Sequence, residues 1–176
     1  MILSLLLLAC DPAPEDIAKA ITSENPVMRE DGAKIAQNYD DPVVVEALVK
    51  VLSDPSEKVR LNAIESLAEL EASTAAPALM DSLVADPSPK VKRAAADALG
   101  RLKVKEAVPD LIAYVETFDL DDRGQLAGLW AIGNIGSEGL PPDMKKQALA
   151  VLVKRREGST DKFILYTANA ALRTLR

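Results

Sequence analysis

The 176-residue chain contains no histidine, and its only cysteine is Cys10. Without histidine it lacks the commonest general base and the commonest metal ligand, so a Ser-His-Asp or Cys-His arrangement is impossible. A single cysteine rules out an internal disulfide, a Cys-X-X-Cys pair and a thiolate cluster. Aromatic residues make up 3% of the chain, with one Trp, two Phe and three Tyr. Strands favour aromatic and β-branched residues, so this scarcity beside abundant alanine and leucine points to closely packed helices. Positive charge is also short: 21 Lys plus Arg stand against 27 Asp plus Glu, a net charge of −6. A protein devoted to nucleic-acid phosphates would show the opposite balance, so no nucleic-acid partner is expected. The shortage is local, however. Residues Met1 to Leu140 hold 13 basic and 24 acidic side chains, whereas Pro141 to Arg176 hold 8 and 3. No cofactor is expected either. The acidic run Asp119 to Asp122 lacks the ligand spacing and central Gly of a calcium loop, and it reads as helix capping.

One apolar run is present, MILSLLLLAC at residues 1–10. It is too short to cross a bilayer, which takes about 20 apolar residues. Nothing polar gives it the outer face of a soluble helix. Leu7-Leu8-Ala9-Cys10 resembles a bacterial lipobox, although the charged segment that usually opens such a signal is missing. The resemblance implies a signal peptide over residues 1–9, cleavage before Cys10 and lipidation of that cysteine. The mature domain would then be residues 10–176. It would be lipid-anchored in a bacterial cell envelope, on the periplasmic or extracytoplasmic side. The alternative is a buried apolar strap containing an ordinary core cysteine.

What dominates the rest is repetition. SDPSEKVRLNAIESLAEL from Ser53 and ADPSPKVKRAAADALGRL from Ala85 lie 32 residues apart and align position by position. Val91, Ala94, Ala95, Ala98, Leu99 and Leu102 follow the three-four spacing of one helical face. Asp followed by Pro reads as a helix start, with carboxylate capping and proline in the first turn. Gly100 stands near the helix end, where it either turns the chain or lets the next hairpin approach closely. Each such helix is preceded by another, as in PVVVEALVKVL, AAPALMDSLV and AVPDLIAYV. A fixed period of this size is the mark of a solenoid. GLWAIGNIG and ANAALRTLR extend the pattern toward the C-terminus, with extra residues around SEGLPPDMKK reading as a loop. PEDIAKAIT and VMREDGAKIAQNY extend it upstream. The expected fold is an all-α, right-handed α-solenoid of about five helical hairpins.

These stretches resemble HEAT-like repeats, in particular the short repeats of the phycobilisome-lyase type. The residues carrying the resemblance are Asp54, Val59, Arg60, Ala63 and Leu67, then Asp86, Val91, Lys92, Ala95, Ala98, Leu99 and Gly100, with the preceding Pro77 and Pro109. Lys92 and Gln125 stand where an arginine is usual, so a continuous basic ladder is not expected. The resemblance implies that the second helix of each hairpin lines a concave face. The outward stripe is then Lys90, Arg93, Asp97 and Arg101, continued by Arg123, Leu126, Trp130 and Asn134, then Phe163, Tyr166, Ala170 and Arg173. Copy two contributes Lys58, Leu61, Glu65 and Glu69. Arg93, Asp97, Leu126, Trp130, Phe163 and Tyr166 form the candidate partner-binding surface, because aromatic and Arg side chains concentrate binding energy. Trp130 alternatively belongs to the core or lies under the loop from Gly136 to Pro142. The leading expectation is a non-enzymatic, membrane-tethered scaffold for an unknown protein or peptide. The alternatives are a HEAT-like chromophore or cofactor lyase or chaperone-type helper, and a soluble adaptor without the lipid anchor.

Overall fold

The computed structural model describes residues 12–176; Cys10 and the apolar run before it lie outside the described residues. Ten α-helices are described, and they pair into five hairpins. They are α1 Pro14–Ile21 and α2 Pro26–Ile35, α3 Pro42–Lys50 and α4 Glu57–Glu69, then α5 Ala76–Ala85 and α6 Pro89–Arg101. α7 Val108–Glu116 and α8 Leu126–Ile135 follow, then α9 Pro142–Gly158 and α10 Lys162–Leu175. No strand occurs among the described residues, so the chain is all-α and of the α-solenoid class.

The chain divides into two compact units, Met1–Ala78 and Leu79–Arg176. In the first, α2 packs on α1 and α4, and α3 packs on α1 and α4. In the second, the second helices α6, α8 and α10 contact one another in sequence, while α7 lies against α8 and α9. Within each unit the helices lie in two layers and bury their apolar stripes against their neighbours. Val91, Ala95 and Leu99 of α6 have no exposed surface, as the three-four spacing requires. Burying a Leu or Val side chain contributes about 1.5–3 kcal/mol, which carries most of the stability of helices this short.

The helix starts follow a refined version of the Asp-Pro rule. Asp41 caps α3 directly, accepting from the Val43 amide at 2.9 Å with Pro42 in the first turn. Asn25 does the same for α2. At Asp54 and Asp86 the expectation is corrected, because the N-cap positions fall on Ser56 and Ser88, two residues later, and of the two only the Ser88 hydroxyl accepts a capping bond, from the Lys90 amide. Each aspartate closes a turn by accepting from the serine amide at 2.8 Å, and so delivers the chain into its cap.

The helix ends repeat as well. Glu71 and Lys103, one period apart, both take left-handed backbone, with φ of 50° and 52°. The amides that follow them, Ala72 and Val104, donate back to Leu67 and Leu99 at 3.0 Å. This is the six-to-one bond of a Schellman ending, built without glycine. Gly100 therefore serves close approach and not the turn. A second correction concerns SEGLPPDMKK. Pro142 opens α9 in its first turn, so Asp143 to Lys146 are helical, and the extra residues of the last repeat lengthen that helix to 17 residues.

Candidate functional site

In α6 the apolar stripe turns inward, which leaves Lys90, Arg93, Asp97 and Arg101 exposed as expected. Partial burial pushes the Asp97 carboxyl up from the usual carboxylate range, with Arg101 and Arg93 pulling the other way. The helix α8, LAGLWAIGNI, is apolar nearly all round because it is enclosed by α6, α7 and α10. Gly100 and Gly133 make that enclosure tight. A Cβ on Gly100 would stand 2.6 Å from Ala131 Cα, and one on Gly133 would stand 2.7 Å from Ala171 Cβ. Side chains then use carbonyls of the preceding second helix. Asn134 donates to Gly100 O at 2.8 Å and Thr174 to Gly133 O at 2.7 Å. Asn134, expected to offer its amide outward, spends that donor on the fold.

Trp130 is neither core nor covered by the loop. One edge of its indole rests on Gly100, and 40% of the residue remains exposed. Tyr166 is 77% exposed and Phe163 47%. Trp130 and Tyr166 line one open pocket of about 200 Å³, with Gly133, Thr167 and Ala170 as its floor and wall. Phe163 stands apart from that pocket. The Arg123 guanidinium lies 4.4 Å from its ring centroid and also bonds Asp161 at 2.8 Å. Hydrogen bonding to Arg123 holds the Asp161 carboxyl below its usual range. Leu126 is half-buried. The structure thus brings Trp130 and Tyr166 together, sets Phe163 beside a fixed cation, and leaves Arg93 and Asp97 on the neighbouring helix.

Arg60, Lys92 and Gln125, the register in which no continuous basic ladder was expected, serve the loops, and Arg29 joins them. Arg29, Arg60 and Gln125 all turn into the loop ahead of their own helix. Arg29 donates to the carbonyls of Ser23 and Glu24, Arg60 to those of Asp54 and Pro55, and Gln125 to those of Asp119, Leu120 and Asp122. Long donors here satisfy loop carbonyls that the helix cannot reach. Lys92 makes one such bond, to Val84 O at 2.7 Å.

Three features escaped the sequence reading. A cavity of about 620 Å³ opens among Val84, Pro87, Pro89, Lys92, Tyr114 and Phe118. Its aromatic wall is an edge-on pair, Tyr114 and Phe118, with centroids 5.1 Å apart; their spacing of four was the available signal. Arg155, 3% exposed, donates to the carbonyls of Val115 and Phe118, which nothing in its basic surroundings announced. Asp121 accepts from Ser159 Oγ at 2.8 Å and from the Thr160 and Asp161 amides, and these bonds lower its carboxyl below the usual range. Together with Asp122, which caps Gly124, it makes the acidic run a loop staple. No group of three His, Cys, Asp or Glu residues placed to hold a metal occurs among the described residues.

The HEAT-repeat family model matches residues 14–87 and 76–173, spans that cover nearly the whole chain. The chain is a HEAT-repeat protein. No curated protein matches it in sequence. Among solved structures, this HEAT-repeat chain is similar to the complex of CpcE and CpcF of phycocyanin lyase from Nostoc sp. PCC7120. The TM-score is 0.77 at 24% identity, over 96% of this chain and 66% of that one. An engineered protein is also similar, with a TM-score of 0.62 and 18% identity over 94% of this chain and 99% of that one. At these identities the likeness is one of fold. It nevertheless overturns the expectation that the chain is not an enzyme. A lyase complex is built on this fold, so the missing histidine does not place a HEAT-repeat chain outside enzyme work.

Proposed function

We propose that this HEAT-repeat protein binds a protein or peptide partner on the exposed face of α6, α8 and α10. One observation carries the reading. Five large hydrophobic residues stand exposed among the described residues, and Trp130, Phe163 and Tyr166 are three of them, on consecutive second helices. Apolar area left in water costs about 25 cal/mol per Å² relative to burial, and clustered aromatics are typical anchors of interfaces. The test is capture from membranes with the wild-type chain and with Trp130→Ala, read by mass spectrometry. A partner retained by the wild type should be lost by the variant at unchanged helical signal. Truncating such an anchor typically costs about 2 kcal/mol or more, over tenfold in affinity. In the free protein, Trp130 emission should be red-shifted and readily quenched by acrylamide; a blue-shifted, shielded tryptophan would refute the exposed anchor.

A second reading, a lyase-type helper for a chromophore- or cofactor-bearing protein, is favoured by the fold of the phycocyanin lyase complex and by the 620 Å³ cavity at Tyr114 and Phe118. A pigment or small molecule that copurifies with the wild type but not with Tyr114→Ala would support it; a colourless, ligand-free protein would count against it.

Leu7-Leu8-Ala9-Cys10 supports a tether to a membrane through lipidated Cys10. None of the described helices is long and apolar enough to cross one. Cys10→Ala should abolish labelling by a fatty-acid precursor and move the protein out of the membrane fraction. Complete release is expected, since stable anchoring takes two lipid chains and the variant would keep neither.

A further inference from the structure

The docking face carries charge of the opposite sign to the chain. Along the outward stripe of α6, α8, α10 and the turn at 123–125, the basic residues are Lys90, Arg93, Arg101, Arg123 and Arg173; Lys92 turns away to Val84 O. The one acid on these elements is Asp97, with Asp161 at the α10 cap already paired to Arg123. The whole chain carries −6. The corresponding helix of the first unit, α4, holds Glu57, Glu65 and Glu69 against Lys58 and Arg60. The excess of positive charge therefore stands on α6 and α10, the two helices that flank the uncharged α8 of Trp130. Potentials across an interface are arranged to be complementary, and an excess of one sign on one face of an oppositely charged protein selects the partner's sign.

We infer that the occupant of this face is an acidic peptide segment that places one large apolar side chain between Trp130 and Tyr166. The inference rests on the docking reading above and adds the chemistry of the partner. The pocket of about 200 Å³ admits a single branched aliphatic or aromatic group. Thr167 and Ala170 give it a mainly apolar lining. Exposed Arg93 on α6 and Arg173 on α10 occupy outward positions of the two helices that flank α8, where they would meet carboxylates beside the anchor. A nucleic acid would also answer to cations and aromatics, but the anchor site is a pocket and not an open stacking platform with cations following a strand.

The test uses the full chain and designed peptides of about 16 residues, about 24 Å long as a helix, followed through Trp130 fluorescence and salt dependence. The first peptide is glutamate-rich with one Leu and one Phe a turn apart. The second replaces its glutamates by lysine, the third replaces Leu and Phe by Ser, and a single-stranded oligonucleotide serves as a polyanion without side chains. The acidic apolar peptide should bind at least about tenfold more tightly than each of the others, a difference of about 1.4 kcal/mol, and shift Trp130 emission to the blue. Tyr166→Ala should weaken it by about tenfold or more. The pair Arg93→Glu and Arg173→Glu should weaken it and flatten its salt dependence. Equal or tighter binding of the lysine peptide or of the oligonucleotide would overturn the inference, as would no binding of any acidic peptide. If a captured partner still depends on Trp130 in that event, the docking reading stands and the assigned charge falls. If Trp130 is dispensable for every ligand, both fall.

Discussion

Gly100→Ala is the sharpest test of how the docking helices are held. In an exposed helix this change stabilises by about 1 kcal/mol, because alanine loses less backbone freedom. Gly100 is buried, and its added Cβ would lie 2.6 Å from Ala131 Cα, 2.8 Å from Ala131 Cβ and 2.9 Å from Trp130 Cζ3. Carbon atoms pack best about 3.5–4.0 Å apart, so α6 and α8 must separate by about 1 Å. A backbone Cα has no rotamer with which to move aside. Overpacking of this kind costs about 1–3 kcal/mol. Setting the propensity gain of about 1 kcal/mol against it leaves a net loss of up to about 2 kcal/mol. For a chain of this length that is a fall in Tm of up to about 8 °C. The loss should spread beyond one hairpin, because each repeat leans on its neighbours. Thermal melts followed by circular dichroism read the stability. Trp130 emission reads the displacement, since the indole edge lies in the same contact. Ala68, one period earlier, carries a Cβ at the equivalent position, so the requirement is local to the α6–α8 pair and not to the repeat as such. A raised Tm in Gly100→Ala, with Trp130 emission unchanged, would refute the close approach and return Gly100 to a role in chain flexibility.

Other consequences follow from the same geometry. Ala98 is 1% exposed, so Ala98→Leu should overpack α6 and cost about 1–3 kcal/mol; a melt within a degree of wild type would remove α6 from the core. Lys103 stands at φ 52°, where a side chain costs about 1–2 kcal/mol and glycine does not. After glycine's own entropy of about 0.5–1 kcal/mol, Lys103→Gly should raise stability by up to about 1.5 kcal/mol, a gain that a lowered Tm would contradict. Asp121 and Asp161 both have carboxyls held below the usual range by hydrogen bonds. Their contribution is present above the ordinary carboxylate pKa of about 3.9 and is lost as pH falls through their lower folded values. Protection of the Thr160 and Asp161 amides against hydrogen exchange, taken relative to the intrinsic rate at each pH, should therefore be lost only below about pH 4 in the wild type, and already at neutral pH in Asp121→Asn. Exchange in Asp121→Asn that matches the wild type at neutral pH would show that Asp121 does not staple the loop.

The sequence by itself determined the hairpins, their period and the faces they bury. A 32-residue repeat with three-four apolar spacing leaves few other ways to remove Val91, Ala95 and Leu99 from water, and the same register placed Trp130, Phe163 and Tyr166 outside. These are local properties, readable one helix at a time. What only tertiary structure decided is which outward residues meet. Phe163 shares the stripe with Tyr166 but sits on Arg123, while Trp130 comes within one pocket of Tyr166 because Gly100 and Gly133 let α6, α8 and α10 close in. Arg60 and Gln125 occupy the register of a basic ladder, yet the carbonyls that would otherwise go unpaired in the preceding loops draw them inward. Asp121 reaches residues some forty positions away, a distance over which periodicity carries no information. Repetition in the sequence specifies each helix and its neighbour's face. The depth of contact between those faces depends on whether two backbones can touch, and that is settled where they meet.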